Sequence, residues 1–264
     1  MANSIEELQL GIYDNTDLGV FGEGSMQKAL ICFRCQTAKE IFSQYSFQNK
    51  VVIDIGCGQG QVTQALRGAG FCQAFGFDIT PKRIKAISQD APYYFLARGQ
   101  NLPFRDASIA GITIYEVFEH LPANEAIQML EEVSRVLQPG GITILSTPNT
   151  LSWGHRLRNF VAGQNGTGST REDHVNEVNY LQLKEIFKSC QLNILELKGL
   201  GLIPGMWHAQ KFFPIASLQN LNIRLGYPFP QYASETLVVA KNPLKPNSGL
   251  LNVPRKVQEL IGAD

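Results

Sequence analysis

The sequence predicts an α/β fold in which helices cover both faces of a mostly parallel sheet. Short apolar runs alternate with amphipathic stretches along the chain, as they do where helical crossovers join parallel strands. Several of the apolar runs are unbroken, which is typical of strands buried on both faces. A length of 264 residues and a hydrophobic content of 44% are sufficient for one large core of this kind.

The elements follow one another in a regular order. The predicted strands cover 51–55, 73–78, 93–97, 109–115, 142–147, 192–198 and 235–240. The predicted helices cover 26–45, 61–69, 81–89, 124–137 and 180–189. Gly70 favours a helix end, Pro81 favours a helix start, and Asn124 is a candidate N-cap before the helix that Pro139 and the glycines after it would stop. Right-handed crossovers then bring the carboxyl ends of the strands to one edge, where ligands bind in open α/β sheets.

Composition restricts the class of partner and compartment. Lys+Arg and Asp+Glu both total 23, so a zero net charge predicts neither nucleic-acid binding nor attachment to an anionic membrane. No secretion signal is recognisable at the N-terminus, and no run reaches the ~18 apolar residues of a membrane span. Five scattered cysteines favour reduced thiols in a cytoplasmic protein. Cys32 and Cys35 form a C-x-x-C pair, which we interpret as two small residues on a helix because no second pair completes a zinc site.

A glycine loop follows the first predicted strand. It reads Asp54-Ile-Gly56-Cys-Gly58-Gln-Gly60, and its glycines let the backbone turn sharply and approach a ligand closely. Dinucleotide sites use G-x-G-x-x-G, whereas the third glycine comes one residue early here, so the spacing argues against NAD. An Asp before the loop suits an ammonium group better than a pyrophosphate. Asp78, at the end of the second strand, can accept hydrogen bonds from both hydroxyls of a ribose.

These motifs, taken together, resemble those of the class I S-adenosylmethionine-dependent methyltransferases. The resemblance covers about residues 45–200. It continues through Asn101-Leu-Pro-Phe104, Glu119-His-Leu121 and the L-Q-P-G-G-x-x-x-x-S-T-P-N segment at 137–149. It implies a Rossmann-like seven-stranded, mostly parallel sheet with an elaborated C-terminal region. It also implies an N-terminal helical cap at 1–50, a core at 51–241 with acceptor-side insertions at 150–180 and 199–232, and a tail at 242–264.

The resemblance implies S-adenosylmethionine as the cofactor and a role for each matching position. Gly56, Gly58 and Gly60 would line the methionine and ribose, with Asp54 behind them. Asp78 would hold the ribose, Ile79 would pack on the adenine, and Tyr115 would approach the methionine. The adenine edge would be flanked by Gln100, Asn101 and Leu102. Many relatives carry an acidic residue near the position of Arg98, so backbone near Gly99 or the Gln100 side chain would have to replace it.

A second cluster, Glu116-Val-Phe-Glu119-His120, follows the fourth predicted strand. In one helical turn these two carboxylates and the imidazole would face the same way, as a facial set for a divalent ion. Ubiquinone-pathway O-methyltransferases and RNA 3′-terminal 2′-O-methyltransferases resemble this segment, and His174 lies where they often place another histidine. Three interpretations stay open. Glu116, Glu119, His120 and His174 bind a metal, or Glu116, His120 and His174 act in catalysis without one, or the cluster is structural.

The sequence therefore predicts a methyltransferase that O-methylates a small phenolic, sugar or lipid-like acceptor. The alternatives are an RNA 2′-O-methyltransferase and a cofactor-binding protein without transferase activity. The acceptor itself is not encoded in a readable motif. Aromatic residues in the segment 199–232 either wall an acceptor pocket or, as we favour, complete the core. They include Trp207, Phe212, Phe213, Tyr227 and Phe229.

Overall fold

The computed structural model describes residues 26–88, 92–161, 174–203 and 216–243. The helices are α1 (Met26–Gln44), α2 (Gln61–Gly68), α3 (Pro81–Ser88), α4 (Ala123–Val136), α5 (Trp153–Val161), α6 (Tyr180–Ser189) and α7 (Ala216–Leu225). The strands are β1 (Val52–Ile55), β2 (Ala74–Asp78), β3 (Tyr94–Leu96), β4 (Ile109–Tyr115), β5 (Leu137–Pro148), β6 (Asn193–Leu200) and β7 (Glu235–Lys241). A single 3-10 turn, Phe118–His120, follows β4.

The seven strands form one sheet in the order β3-β2-β1-β4-β5-β7-β6. Strands β1 to β5 are parallel, and β7 is antiparallel to both of its neighbours, β5 and β6. The predicted seven-stranded, mostly parallel sheet is confirmed. The chain builds β2 and β3 on one side of β1 and then places β4 on the other, so the winding direction reverses between β1 and β4. Ligands of open α/β sheets bind outside the carboxyl ends of the strands at such a reversal.

Helices cover both faces of the sheet, as predicted. On one face, α4 and α6 contribute the fully buried side chains of Met129, Val133 and Ile186. On the other face, α1 and α2 pack Phe42 and Leu66 against the sheet. Every residue of β1 and β4 is buried between these two layers. This double burial is the physical reason that both strands are continuous apolar runs in the sequence.

The local structure differs from the prediction around β5 and in the insertions. The N-cap of α4 is Pro122, not Asn124, and no side chain caps the helix start. The segment that includes Pro139 is not a helix stop but the beginning of β5, where the pairing with β4 shifts register. Helices α5 and α7 lie in the predicted insertions and were not predicted. The exposed side chains of α5 include Trp153 and Leu157, so the spacing of its apolar residues does not define a buried face.

Several predicted features fall outside the described residues. They are residues 1–25 of the predicted cap, residues 162–173 of the predicted insertion at 150–180, Trp207, Phe212, Phe213 and the tail from 244 onward. Of the remaining aromatic residues in the segment 199–232, Tyr227 packs against the core and Phe229 is 43% exposed. Within the part of the chain that the structure describes, no helix has the length and apolarity needed to cross a membrane.

Candidate functional site

A cleft of about 600 Å³ opens at the carboxyl edge of the sheet, at the reversal between β1 and β4. Its walls come from the ends of β1, β2, β3 and β4 and from α4. The lining residues are Ile55, Gly56, Asp78, Ile79, Thr80, Arg83, Ala97, Gly99, Gln100, Glu116, Val117, His120, Leu121 and Met129. The position of the cleft is that of a small-molecule or cofactor site in an α/β protein.

The glycine loop connects β1 to α2 beside this cleft. Gly56, Gly58 and Gly60 all have positive φ angles, of 70°, 53° and 77°. A Cβ added at Gly56 would lie 2.2 Å from Val117, and one added at Gly60 would lie 2.4 Å from the Tyr94 hydroxyl. A Cβ added at Gly58 would meet no protein atom within 4 Å. The loop therefore turns as predicted, and Gly58 is the position where its backbone faces open space.

Asp78 joins the glycine loop to the end of β2. Its Oδ2 accepts a hydrogen bond from the backbone N–H of Gly58 at 3.0 Å, and its Oδ1 accepts one from the N–H of Thr80 at 2.8 Å. The side chain lines the cleft although the residue is only 5% exposed. A carboxylate offers about four acceptor positions, so two remain for hydroxyl groups of a ligand.

Asp54 lies beneath the loop and is buried. The Thr113 hydroxyl donates to its Oδ1 at 2.6 Å, and the Thr63 hydroxyl donates to its Oδ2 at 3.3 Å. Burial is the main cause that raises the pKa of the Asp54 carboxyl to about 7; the two threonine hydrogen bonds oppose the shift, and the charge of Asp78 adds a smaller contribution to it. Asp54 therefore links β1 to β4 and α2, and it is not among the residues that line the cleft.

The remaining predicted cofactor contacts divide into two groups. Ile79 and Gln100 line the cleft. Asn101 is exposed and forms an isolated bridge with Arg98, and Leu102 is buried in the core. Tyr115 is buried on the α1 side of β4, where its hydroxyl donates to the carbonyl oxygen of Arg34 at 3.3 Å. Neither Asn101 nor Leu102 nor Tyr115 is among the cleft-lining residues, so their cofactor roles stay predictions.

Three of the four predicted metal ligands meet at the mouth of the cleft. Glu119, His120 and His174 each present one ligand atom, and these atoms all lie within 4.8 Å of one another. The imidazole rings of His120 and His174 are in edge-to-face contact, with centroids 4.9 Å apart. Among the described residues, Oε1 of Glu119 is buried without a hydrogen-bond partner. An orphaned buried carboxylate oxygen beside two imidazoles is a ligand set suited to a borderline divalent ion.

Backbone hydrogen bonds explain how His174 reaches this cluster from a distant part of the sequence. The carbonyl oxygen of Glu119 accepts from the N–H groups of Val175 and Asn176, both at 3.0 Å. These bonds hold the segment after His174 against the 3-10 turn. Nδ1 of His174 lies 2.6 Å from Oε1 of Glu177. A carboxylate at Nδ1 fixes the ring so that Nε2 is the nitrogen available to a ligand.

Glu116, the fourth predicted ligand, lies apart from the other three. It has a left-handed φ of 55°, and the following turn is 3-10, so the helical geometry that would align Glu116 with His120 is absent. The Arg34 guanidinium contacts Oε1 of Glu116 at 3.1 Å and Oε2 of Glu235 at 3.1 Å. Glu116 still lines the cleft. Glu116 is therefore not one of the three residues whose ligand atoms converge, because an ion pair directs its carboxylate toward α1, and its metal role stays a prediction.

The S-T-P-N motif at the end of β5 orients both glutamates. The Ser146 hydroxyl donates to Oε1 of Glu116 at 3.1 Å, and the Thr147 hydroxyl donates to Oε2 of Glu119 at 3.1 Å. Burial raises the pKa of the Glu119 carboxyl well above its ordinary value, and the charge of Glu116 raises it further. The site therefore holds one carboxylate that strongly favours a proton or another cation at Oε1.

Sequence reasoning missed four residues that shape the cluster. Arg34 and Glu235 form the ion pairs described above, and Glu177 lies between His174 and His155, whose Nδ1 is 3.7 Å from Oε2 of Glu177. Glu235 begins β7, and because β7 is antiparallel its first residue lies at the carboxyl edge of the other strands, opposite Pro148. Only the His174-x-x-Glu177 spacing was a local signal. The other partners are brought together by the sheet order.

The strand order, the reversal-point cleft and the glycine loop bonded to Asp78 are those of a cofactor-binding α/β protein. Residues 53–145 match the family described as a methyltransferase domain. A protein of Mycolicibacterium smegmatis named as an S-adenosylmethionine-dependent methyltransferase is 25% identical over 151 residues, which is 56% of this chain and 54% of that protein. A ubiquinone biosynthesis O-methyltransferase of Psychrobacter arcticus is 32% identical over 116 residues, or 40% of this chain and 44% of that one.

Solved structures show the same fold. Magnesium protoporphyrin IX methyltransferase from Synechocystis, solved with bound S-adenosylhomocysteine, aligns with a TM-score of 0.57 at 14% identity. The alignment covers 91% of this chain and 95% of that one. Residues 53–145 are therefore similar to a methyltransferase domain, and the described fold is that of S-adenosylmethionine-dependent methyltransferases. The chain spans about half the length of the curated relatives it matches.

Proposed function

We propose that the protein transfers the methyl group of S-adenosylmethionine to a hydroxyl oxygen of a small phenolic, sugar or lipid-like acceptor. The observation that carries this proposal is the meeting of Glu119, His120 and His174 at the mouth of the cleft that Gly56 and Asp78 line. The sulfonium carbon is already activated, so transfer is an in-line displacement that chiefly requires positioning. A hydroxyl acceptor must also lose its proton, and this cluster lies where a proton acceptor is needed.

The cofactor would occupy the cleft with its ribose at Asp78. The two unused acceptor positions of the Asp78 carboxylate suit the two ribose hydroxyls, and Ile79 offers an apolar surface beside them for the base. The glycine loop would accommodate the methionine moiety, with the open face of Gly58 toward it. His120 also lines the cleft and would then lie on the acceptor side.

The cluster fits a divalent ion in its chemistry. Glu119 and His120 would hold the ion together with His174, whose Nδ1 is already occupied by Glu177. A bound divalent ion lowers the pKa of a hydroxyl group that coordinates it. Without an ion, His120 would accept the acceptor proton itself, and the contact with His174 would orient its ring. Glu116 would hold Arg34 in either case.

The relatives support a hydroxyl acceptor. Several matched proteins are named ubiquinone biosynthesis O-methyltransferases, and a further one, from Penicillium expansum, is named an O-methyltransferase. At identities of 25–32% over part of each chain, these names support oxygen as the methylated atom. They do not select an acceptor.

The test is turnover of labelled S-adenosylmethionine on a panel of catechols, sugars, hydroxylated lipids and RNA oligonucleotides. We expect transfer to a small hydroxyl compound, and His120→Ala should lower kcat by about 100-fold or more while changing the cofactor Kd less than threefold. The matched control is Asn124→Ala, which replaces an exposed side chain four residues after His120 in the sequence. Transfer to RNA alone, or cofactor binding without turnover on any acceptor, would contradict the proposal.

Chelation separates the two versions of the cluster. If an ion is held by Glu119, His120 and His174, a chelator abolishes activity and added divalent ion restores it. Metal content of the purified protein, measured by mass spectrometry, should then fall in His174→Ala as well as in His120→Ala. If His120 acts alone, activity is insensitive to the chelator and neither variant changes metal content.

A further inference from the structure

Glu177 is a buried carboxylate that contacts two imidazole rings. Its Oε1 lies 2.6 Å from Nδ1 of His174, and its Oε2 lies 3.7 Å from Nδ1 of His155 on α5. The three side chains are between 3% and 7% exposed. Burying a carboxylate is unfavourable unless polar partners compensate for its lost hydration. Apolar packing therefore does not explain Glu177, whereas its close contact with His174 supplies such a partner.

Backbone hydrogen bonds fix the chain on both sides of Glu177. The preceding residue, Asn176, donates its N–H to the carbonyl oxygen of Glu119 at 3.0 Å. The carbonyl oxygen of the following residue, Val178, accepts from the N–H of Thr150 at 3.3 Å. Residues 174–179 form neither a helix nor a strand, so helical i,i+3 spacing does not bring the carboxylate to the imidazole. The position of the carboxylate is set by the 3-10 turn and by the segment after β5.

The contact at 2.6 Å determines which nitrogen of His174 carries a hydrogen. An ionised carboxylate only accepts hydrogen bonds, so Nδ1 of His174 must be the donor. In a neutral ring the other nitrogen, Nε2, then has a lone pair. The distance of 3.7 Å from His155 is longer than a hydrogen bond. His155 therefore lies against the carboxylate without taking the place of His174 as its close hydrogen-bond donor.

We propose that Glu177 is the positioning residue of the cluster, holding His174 in the tautomer with its hydrogen on Nδ1 so that Nε2 presents a lone pair beside Glu119 and His120. The inference rests on the proposed function and deepens it. Both versions of the cluster require this lone pair. It is a ligand for an ion in one version and a hydrogen-bond acceptor in the other, and the opposite tautomer would place a donor there instead.

Nitrogen-15 NMR of protein labelled at the histidine rings reads the tautomer directly, with no ligand and at pH 8 after treatment with a chelator. A His174→Gln variant assigns the signals of this ring. In the wild-type protein the tautomer with hydrogen on Nδ1 should exceed the other by about tenfold or more, as expected for a hydrogen bond to a charged group. Glu177→Leu removes the acceptor, so the two tautomers should come within about threefold of each other.

Glu177→Gln keeps the shape of the side chain and is the decisive variant. Its amide can present either an acceptor or a donor to Nδ1, so a mixture of tautomers should replace the single one while Tm stays near that of the wild type. On an acceptor that the wild-type enzyme methylates, kcat should fall by about 10- to 100-fold, with the Kd of S-adenosylhomocysteine changed less than about threefold. Glu185→Gln makes the same change at an exposed position of α6 and should alter none of these quantities.

Three outcomes overturn the inference. They are a wild-type His174 ring that carries hydrogen on Nε2, a single unchanged tautomer in both Glu177 variants, and a tautomer mixture in Glu177→Gln with full kcat. If the wild-type protein methylates no acceptor, the proposed function fails, but the NMR comparison still tests Glu177. Thermal unfolding of each variant separates loss of the fold from loss of ring orientation.

Discussion

Asp78→Asn tests the link between the glycine loop and the proposed ribose site. The carboxylate accepts from the Gly58 N–H at 3.0 Å and the Thr80 N–H at 2.8 Å. An asparagine has one acceptor oxygen, so its NH₂ group must face one of these backbone donors. Leaving one buried N–H unpaired costs about 1–3 kcal/mol of folding stability. For a protein of this size that lowers Tm by about 2–12 °C.

The same substitution should weaken cofactor binding. The amide keeps fewer acceptor positions for the ribose hydroxyls, and it lacks the negative charge that strengthens the hydrogen bonds to them. The expected loss of binding free energy is about 1–3 kcal/mol. The expected rise in Kd is about 5- to 150-fold. Calorimetric unfolding without ligand and titration with S-adenosylhomocysteine measure the two effects separately. Asp106→Asn is the control. Asp106 forms an exposed ion pair with Arg135, so its substitution should change neither Tm nor Kd by much. A Kd within twofold of wild type and an unchanged Tm would refute the reasoning.

The remaining predictions concern the loop and the residue beneath it. Gly58→Val should abolish S-adenosylhomocysteine binding, because its Cβ faces open space, and should lower Tm through backbone strain at a φ of 53°. Gly60→Ala should also lower Tm, because it combines a strained φ of 77° with a clash against Tyr94; an unchanged Tm in Gly60→Ala would show that the loop is packed differently. The pKa of Asp54 is raised from 3.8 to about 7, so its burial as an anion destabilises the fold increasingly as pH rises from about 4 to about 7, by on the order of 4 kcal/mol. Asp54→Asn should therefore raise the Tm of the ligand-free protein more at pH 8 than at pH 5, and the same gain at both pH values would contradict the pKa shift.

Local sequence features were sufficient to predict the sheet and the glycine loop. The strands at the centre of the sheet are unbroken apolar runs because both of their faces are buried, and that pattern is visible without coordinates. Gly56, Gly58 and Gly60 could be identified because only glycine adopts positive φ easily at three positions so close together. Asp78 followed from its place at a strand end, and the structure adds that it also holds the loop.

The arrangement of the E-x-x-E-H cluster was decided by the tertiary structure. The sequence places Glu116, Glu119 and His120 close together, but their directions depend on φ angles and on partners from elsewhere. Arg34 reaches Glu116 from α1, Glu235 reaches Arg34 from β7, and His174 reaches His120 through backbone bonds to the carbonyl oxygen of Glu119.

The same division holds for the adenine end of the cleft. The sequence showed that Arg98 replaces the acceptor expected there, and it left both Gly99 and Gln100 as substitutes. Only the fold shows that α4 places Glu125 so that its Oε2 accepts from Nε2 of Gln100 at 2.7 Å. Periodicity and turn chemistry are encoded by neighbouring residues, so the sequence alone predicted the fold, and the resemblance of its motifs to a known family implied the cofactor. The orientation of polar side chains is set by partners far away in the chain, so it required the packed structure.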